Sequence, residues 1–322
     1  MNRLTKCFIV GLFFFVNFAI AQSEYPVRPV TIVVPYSTGG TTDLVARIVA
    51  QALTNGTGKS FIVDNKGGAS GTIAMGFVAN ASPDGYTLLS NEMTQTIVPS
   101  LFPKLTFSPV RDLTSAGIFA EAPYVLAISE SLPVTNLREF IAYAKANPGK
   151  INFASGGSGS GPHMAGELLK SVAGIEMTHV PYKGSGPALQ DLLSGQVEVL
   201  ITAAPTVAQH LGSGRIKALA VASTKRVSTL PNIPTSAEAG LPAFVVANWF
   251  GLAAPKGTPL KIIDQLNSEI VKALSKQEFR DKLVAAGAEP VNISPIEANK
   301  FITAEEVRWT SLIKKAGIKA DN

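Results

Sequence analysis

The sequence has a single cysteine, Cys7, and it falls near the amino terminus. There, Arg3 and Lys6 precede an apolar run, and Ala19-Ile20-Ala21 has the small-residue spacing of a cleavage site. This pattern predicts a secretory signal over residues 1–21 that is removed from the mature protein. The mature chain would then have no cysteine, which excludes disulfide bonds, a cysteine nucleophile and cysteine metal ligands.

The predicted signal is too short to be a membrane anchor. Its apolar run, Phe8 to Val16, is about half of the roughly 20 residues that a transmembrane helix needs, and Asn17 ends it. We therefore expect an exported, soluble protein. Without disulfides, a chain of about 300 residues must be stabilised by its hydrophobic core, which this length permits. A Gram-negative periplasm suits these features best.

The chain has only a small excess of positive charge. The whole chain has 28 Lys and Arg against 23 Asp and Glu. Loss of Arg3 and Lys6 with the signal would lower the formal net charge from +5 to +3, and the basic residues form no run. This scatter indicates an ordinary solvated surface, so neither nucleic acid nor a membrane surface is an expected partner.

Motifs of several common enzyme classes are missing. No serine has glycine two positions before and two positions after it, so there is no nucleophile elbow. Gly58-Lys59-Ser60 lacks the earlier glycine of a phosphate-binding loop, and no complete Gly-x-Gly-x-x-Gly occurs. The three histidines have no partners at metal-ligand spacing. We expect no metal, no other cofactor and no enzymatic activity, although an exported enzyme that uses distant Asp and Glu residues stays open as an alternative.

Strand-like and helix-like apolar patterns alternate along the chain. Val30 to Val34 precedes a helical pattern that starts at Leu44, and Ile151 to Ala154 precedes another that starts at Met164. Further strands are predicted at Ser60 to Val63, Thr87 to Leu89, Tyr124 to Ile128, Val197 to Ile201 and Ile216 to Val221. The alternation predicts an α/β fold.

Two loops rich in glycine and hydroxyl side chains each join a predicted strand to a predicted helix. They are Tyr36-Ser37-Thr38-Gly39-Gly40-Thr41-Thr42-Asp43 and Ser155-Gly156-Gly157-Ser158-Gly159-Ser160-Gly161-Pro162-His163. The first N–H groups of a helix have no partner within it, and the helix dipole places positive charge there. Each loop is therefore a candidate seat for a carboxylate or phosphate. The pair suggests two lobes that close on one small anion.

Two segments without helical period indicate how such lobes are connected. Residues 119–124 and 246–251 are extended and apolar, and we predict that they are the crossings of a hinge. Lobe 1 would then comprise residues 22–122 and 248–322, and lobe 2 residues 123–247. Both glycine-rich loops fall at the carboxyl ends of strands, where open parallel sheets bind their ligands.

The last third of the chain is predicted to be helical. Thr258 and Pro259 are expected to begin one helix, and Ser294-Pro295-Ile296-Glu297 is a capping box that begins another. Gly317 is expected to end that helix.

Several motifs in order resemble one family of transport proteins. They are Tyr25-Pro26-Val27-Arg28-Pro29 onward to Asp43, Pro83-Asp84-Gly85-Tyr86-Thr87-Leu88 and Val180-Pro181-Tyr182-Lys183-Gly184-Ser185-Gly186-Pro187-Ala188. The sequence resembles the Bug or TctC family, the periplasmic solute receptors of tripartite tricarboxylate transporters, from Tyr25 to about Gly317. The resemblance implies a two-lobed periplasmic binding protein of the Venus flytrap kind, type II-like, with a central sheet flanked by helices in each lobe. It also implies a small organic carboxylate as ligand and the transporter's membrane permease subunits as partners.

The same resemblance implies the ligand-binding residues. They are Tyr36, Ser37, Thr38, Gly39, Gly40 and Thr41 in lobe 1, and Ser158, Gly159, Ser160, His163, Thr202 and Ala203 in lobe 2. Many relatives have an acidic residue where this chain has Thr202, and an acid there can meet the amino group of a ligand. We therefore expect a non-aminated mono-, di- or tricarboxylate in preference to aspartate or glutamate. A carboxylate sensor that reports to a signalling partner stays open as an alternative to transport.

Asp43 is expected to have a structural role. A carboxylate beside an anionic ligand would repel it, whereas at a helix start it can accept hydrogen bonds from backbone N–H groups.

Overall fold

The computed structural model describes residues 25–182 and 184–319. The predicted signal, residues 1–21, and Lys183 lie outside the described residues. Within the described ranges, no helix combines the length and the apolar character needed to cross a membrane.

Strands and helices alternate through the first two thirds of the described chain. In order they are β1 (Val30–Val34), α1 (Thr41–Thr57), β2 (Phe61–Asn65), α2 (Thr72–Ala79), β3 (Thr87–Glu92), α3 (Thr94–Leu101), β4 (Leu113–Ser129), α4 (Leu137–Ala146), β5 (Asn152–Ser155), α5 (Gly161–Ala173), β6 (Thr178–Pro181), α6 (Ser185–Ser194), β7 (Val199–Ala203), α7 (Ala204–Ala208), β8 (Ile216–Val221), β9 (Ala247–Pro255), α8 (Leu260–Leu274), α9 (Gln277–Ala285), β10 (Glu289–Ile293) and α10 (Pro295–Ala316). The α/β prediction is confirmed.

The long strand β4 belongs to two sheets. The strand order is β2-β1-β3-β9-β4-β7-β5-β6, and β10 and β8 also pair with β4. From Leu113 to Pro123, β4 pairs antiparallel with β9, and from Tyr124 to Ile128 it pairs antiparallel with β7. We call the part built on β1, β2, β3, β9 and β10 lobe 1, and the part built on β5, β6, β7 and β8 lobe 2. The exact predicted boundaries of the lobes stay predictions.

Each lobe places parallel strands so that their carboxyl ends meet at one edge. In lobe 1, β1 lies parallel to β2 and β3, and in lobe 2, β5 lies parallel to β6 and β7. The chain leaves β1 into the first glycine-rich loop and leaves β5 into the second. The parallel pairing thus fixes both candidate loops at the carboxyl ends of central strands.

Helix α1 shows why the sequence folds in this way in lobe 1. Its apolar residues Val45, Val49 and Leu53 recur every four positions and are fully buried, so they form one stripe against the sheet. The strand beneath it, β1, is Val-Thr-Ile-Val-Val and is almost entirely buried. The three α1 residues and Val30, Ile32 and Val34 of β1 share a core cluster with apolar residues of α8. Burying each large apolar side chain stabilises this arrangement by about 1.5–3 kcal/mol.

A larger core cluster joins the two lobes. It includes Met93 and Ile97 beside or within α3 of lobe 1, Leu168 of α5 in lobe 2, and Trp309 of α10. Helix α10 contacts α3, β4 and α5. The last helix of the chain therefore packs against elements of both lobes.

The helix ends follow most of the predictions. Ser294 and Glu297 form the capping box at the start of α10, and Gly317 ends that helix with a φ of 65°. Thr258, however, does not begin α8: its hydroxyl donates to the Pro255 carbonyl, and Pro259 is the N-cap. Strand β10 was not predicted from the sequence, because Pro290 and Asn292 break its strand pattern.

Candidate functional site

The first glycine-rich loop, residues 36–43, which we call loop 1, presents an open helix start. Gly40 is the N-cap of α1, and no side chain caps this end. Ser37, Thr38, Gly39 and Gly40 are exposed. The N–H groups of the first helical turn therefore have neither a helical partner nor a capping side chain, and the helix dipole makes this end attractive to an anion.

Asp43 fixes the shape of loop 1 from behind. Its carboxylate accepts hydrogen bonds from the Gly39 N–H at 3.0 Å, from the Arg47 Nε at 3.1 Å and from the Asn65 amide at 2.9 Å. Burial alone would raise the pKa of Asp43, but these donors, Arg47 first, outweigh it and lower the pKa below its ordinary value. The carboxylate is thus occupied by the protein itself, as the structural prediction for Asp43 required.

The second glycine-rich loop, residues 155–163, which we call loop 2, is closed by its own hydrogen bonds. The Ser160 side chain caps α5 by accepting from the His163 N–H at 3.4 Å. The Gly157 N–H donates to the Ser155 hydroxyl at 3.1 Å, and the Gly159 N–H donates to the Nδ1 atom of His163 at 3.0 Å. The two loops therefore differ: α1 leaves its first N–H groups open, whereas α5 is capped.

His163 lies behind loop 2, not at its surface. It is 5% exposed, and its ring stacks on that of His179 with centroids 3.7 Å apart. Because Nδ1 accepts the Gly159 N–H, the ring proton is on Nε2 in the neutral form. Burial, then the neighbouring His179 and Lys170, lowers the pKa of His163 to about 3. A direct contact of His163 with ligand stays a prediction, whereas its bond to loop 2 is present in the structure.

The His163 ring gives a testable pH dependence. Its pKa of about 3 in the folded chain lies below the ordinary 6.5, so the unfolded chain takes up this proton first as the pH falls. The free energy of unfolding should therefore decrease between about pH 6.5 and pH 3, by at most about 1.4 kcal/mol per pH unit from this group. Above pH 6.5 the contribution is constant. Thermal unfolding at a series of pH values measures it.

The variant His163→Asn is the matching test of that pH dependence. Its side-chain oxygen takes the place of Nδ1 as acceptor for the Gly159 N–H but cannot be protonated in this range. We expect a smaller loss of melting temperature on acidification than in the parent, with His210→Asn as the control. An unchanged slope in His163→Asn would show that other groups carry the acid sensitivity.

Tyr124 connects the surroundings of the two loops. A Cβ atom built on Gly161, the first residue of α5, would lie 2.0 Å from the Tyr124 hydroxyl oxygen, so that oxygen packs directly on the backbone at the end of loop 2. Burial, then the charge of Glu92, raises the pKa of Tyr124, and Tyr124 in turn contributes to raising the pKa of Tyr36. Tyr36 of loop 1 and Gly161 of loop 2 therefore share Tyr124 as a neighbour.

The hydroxyl of Tyr36 faces into lobe 1. It donates to Glu92 Oε1 at 2.8 Å and lies 2.7 Å from the Thr94 hydroxyl. Burial, then Glu92, raises the pKa of this phenol well above its ordinary value. Thr41, the remaining predicted residue of loop 1, is half-buried in the first turn of α1.

The other predicted residues of lobe 2 lie near the end of β7 or within loop 2. Thr202 is 1% exposed and pairs with Val125, and Ala203 is half-buried and pairs with Tyr124. Ser158 is half-buried, and Gly159 has a φ of 75°, a conformation that favours glycine. The structure thus places Ala203 beside the shared neighbour Tyr124.

Sequence reasoning missed Glu92 and Asn248. Glu92, at the carboxyl end of β3, is 3% exposed, and burial raises the pKa of its carboxyl group. The side chain of Asn248, on β9, bonds to Glu92 and accepts the Met93 N–H at 3.2 Å. If β3 had been predicted to its full length, Glu92 would have been placed at the carboxyl end of a central strand, the edge at which open parallel sheets bind ligands.

In the ranges 25–182 and 184–319, no group of three or more His, Cys, Asp or Glu side chains is placed to hold a metal ion.

Comparison with known proteins decides the family. The model of a family described as "Tripartite tricarboxylate transporter family receptor" matches residues 45–318. The chain belongs to this family. The resemblance drawn from the sequence motifs is thereby confirmed, and the family consists of periplasmic solute-binding receptors.

Individual relatives of this receptor family match over nearly the whole chain. Protein BugT of Bordetella pertussis is 36% identical over 324 residues, which cover 99% of both chains. A solved R. palustris protein with adipate is 38% identical, with a TM-score of 0.80 over 92% of this chain and 100% of that one. MatC from Rhodopseudomonas palustris, solved with bound malate, is 35% identical, with a TM-score of 0.76 over 90% and 100%. The two-lobed binding-protein fold is confirmed.

Proposed function

We propose that this protein is a periplasmic receptor that binds a small organic carboxylate between loop 1 and loop 2. The observation that carries the proposal is the uncapped start of α1. The exposed loop that leads from the parallel strand β1 into this helix leaves the first backbone N–H groups without a capping side chain. The family match and the relatives solved with adipate and with malate support a carboxylate as the ligand class.

The two loops would contribute different hydrogen-bond donors to the ligand. Loop 1 offers the N–H groups of the first turn of α1, and loop 2, whose cap is internal, offers chiefly the hydroxyl groups of Ser158 and Ser160. A buried carboxylate is costly unless its lone pairs accept hydrogen bonds, and each bond to a charged group contributes about 1.5–3 kcal/mol. Because donors from both lobes are needed, the bound anion favours the closed arrangement over the open one.

The receptor would deliver its ligand to a permease of the tripartite tricarboxylate type. The family description supports this partner. The end of the ligand opposite the bound carboxylate would lie near Thr202 and Ala203 at the end of β7, which offer no acidic group for an amine. A mono-, di- or tricarboxylate without an amino group is therefore the proposed ligand class.

A thermal-shift panel on the mature chain tests the proposal. A ligand at 100 times its dissociation constant adds about 2.7 kcal/mol of stability, which for a chain of this length raises the melting temperature by roughly 4 °C. Adipate, malate, succinate, citrate and benzoate form the panel, with aspartate and glutamate as the aminated comparison. Absence of a shift from every carboxylate would reject the receptor proposal, and a larger shift from aspartate than from malate would reject the ligand class.

A further inference from the structure

Glu92 is a buried carboxyl group without a cationic partner among the described residues. Its hydrogen-bond donors are all neutral: the Tyr36 hydroxyl at 2.8 Å, the Thr94 N–H at 3.0 Å, and the side chains of Thr94 and Asn248. A buried carboxyl group is expensive, and a chain that needs only packing at this place would be more stable with an apolar side chain. We therefore look for the role of Glu92 in the elements to which it is hydrogen-bonded.

Glu92 forms hydrogen bonds with three separate elements. Tyr36 begins loop 1, Thr94 begins α3, and Asn248 lies in segment 246–251, the predicted second crossing between the lobes. The Asn248 side-chain oxygen accepts the Met93 N–H at 3.2 Å. Its amide group is consequently the donor to Glu92.

Hydrogen bonds connect Glu92 to the exposed part of loop 1 through the whole of Tyr36, whose hydroxyl donates to Glu92 and whose backbone carbonyl accepts from Asn65. The Asn65 amide donates to the Tyr36 carbonyl at 2.9 Å and to the Asp43 carboxylate at 2.9 Å. Asp43 in turn accepts the Gly39 N–H at 3.0 Å. Gly39 has a φ of 92°, a backbone conformation that favours glycine, and this bond helps to hold it.

We propose that Glu92 is a positioning residue that fixes loop 1 relative to the crossing segment 246–251. A shift of Asn248 when the lobes move is passed through Glu92 to the Tyr36 side chain, and from there to the loop that presents the anion-binding N–H groups. The proposal rests on the proposed function where it takes loop 1 as the ligand loop. The hydrogen-bond coupling itself does not depend on the identity of the ligand.

Amide hydrogen exchange in the unliganded mature protein tests the coupling. In Glu92→Gln the new NH₂ group faces the NH₂ group of Asn248, and the repulsion between them displaces the side-chain oxygen that accepts from the Tyr36 hydroxyl and the Thr94 N–H. We expect faster exchange at the Thr94 and Met93 amides, which bond directly to this pair, and also at Gly39. The increase at Gly39 should be about tenfold or more, the ratio expected from loss of one hydrogen bond to a charged group.

Gly39 is the deciding readout. A purely local structural role for Glu92 would speed exchange at Met93 and Thr94 and leave Gly39 at the parental rate, and that result would overturn the proposal. In the double variant Glu92→Gln with Asn248→Asp, the aspartate accepts from the glutamine NH₂ group and from the Met93 N–H, so Gly39 should return toward the parental rate. Absence of rescue at Gly39 would count equally against the coupling.

Two further variants are controls for a general loss of structure. Tyr36→Phe keeps the Glu92–Asn248 bond and removes the hydroxyl that links it to loop 1, so exchange should increase at Gly39 and stay unchanged at Met93. Glu167→Gln alters another buried carboxylate, which pairs with Lys170 at 2.9 Å in lobe 2, and should change none of the three amides. Because no ligand is present, failure of the coupling is distinguishable from failure of the carboxylate panel.

Discussion

Replacement of Gly40 by valine should abolish the melting-temperature increase that a carboxylate produces, while the unliganded protein remains folded. Gly40 is the N-cap of α1 with a φ of −79° and a ψ of 166°, a conformation open to any residue. A Cβ atom added there has no heavy atom within 4 Å, so the new side chain enters open space in front of the helix start. The N–H groups that would receive the anion are then covered by a branched apolar group.

A second substitution at Gly40 separates binding from stability. Valine is a poorer N-cap than glycine, so Gly40→Val should lower the stability of the unliganded protein slightly, whereas Gly40→Asp provides a capping carboxylate and should raise it by a few tenths of a kcal/mol. Both variants should lose the shift of roughly 4 °C that a saturating ligand gives the parent. The measurement is thermal unfolding with and without the carboxylate that works best for the parent.

The control for Gly40 is Gly212, an exposed glycine in the 3₁₀ turn of lobe 2 whose added Cβ also meets nothing within 4 Å. Gly212→Val should keep the parental ligand shift. If Gly40→Val keeps it too, the start of α1 is not the seat of the anion, whatever else binds.

The two loops show how far the sequence could predict the site. Strand, glycine-rich loop and helix follow one another in the sequence, so the position of both loops at strand ends was predictable. Their difference in capping depends on tertiary and turn geometry: Ser160 turns its hydroxyl to the His163 N–H, while Gly40 has no side chain to turn. Both loops were expected to bind the anion in the same way, because their hydroxyl and glycine content is similar.

The burial of Glu92 and the full length of strand β4 could not be predicted from sequence patterns, for other reasons. A glutamate is ordinarily found at the surface, and the burial of Glu92 depends on donors 56 residues away at Tyr36 and far along the chain at Asn248. In β4, Pro123 interrupts the strand pattern, since proline removes a donor from the sheet. The structure tolerates it because Pro123 lies where β4 changes partner from β9 to β7.

Removal of the Trp309 side chain should lower the stability of both lobes together. Trp309 is fully buried in α10, its Nε1 donates to Glu305 at 2.9 Å, and it belongs to the core cluster that contains residues of α3 from lobe 1 and α5 from lobe 2. Trp309→Ala leaves a cavity and should cost about 3–5 kcal/mol. For a chain of this length, the melting temperature should fall by roughly 5–8 °C.

The form of the unfolding curve tests whether the two lobes unfold together. Because the cluster around Trp309 is shared by the lobes, calorimetry of Trp309→Ala should still give one transition, shifted as a whole. Two separate transitions would mean that the lobes fold independently and that α10 merely lies across them. Val307→Ala, on the same helix but at a side chain that is 67% exposed, should stay within about 0.5 kcal/mol of the parent and controls for helix propensity.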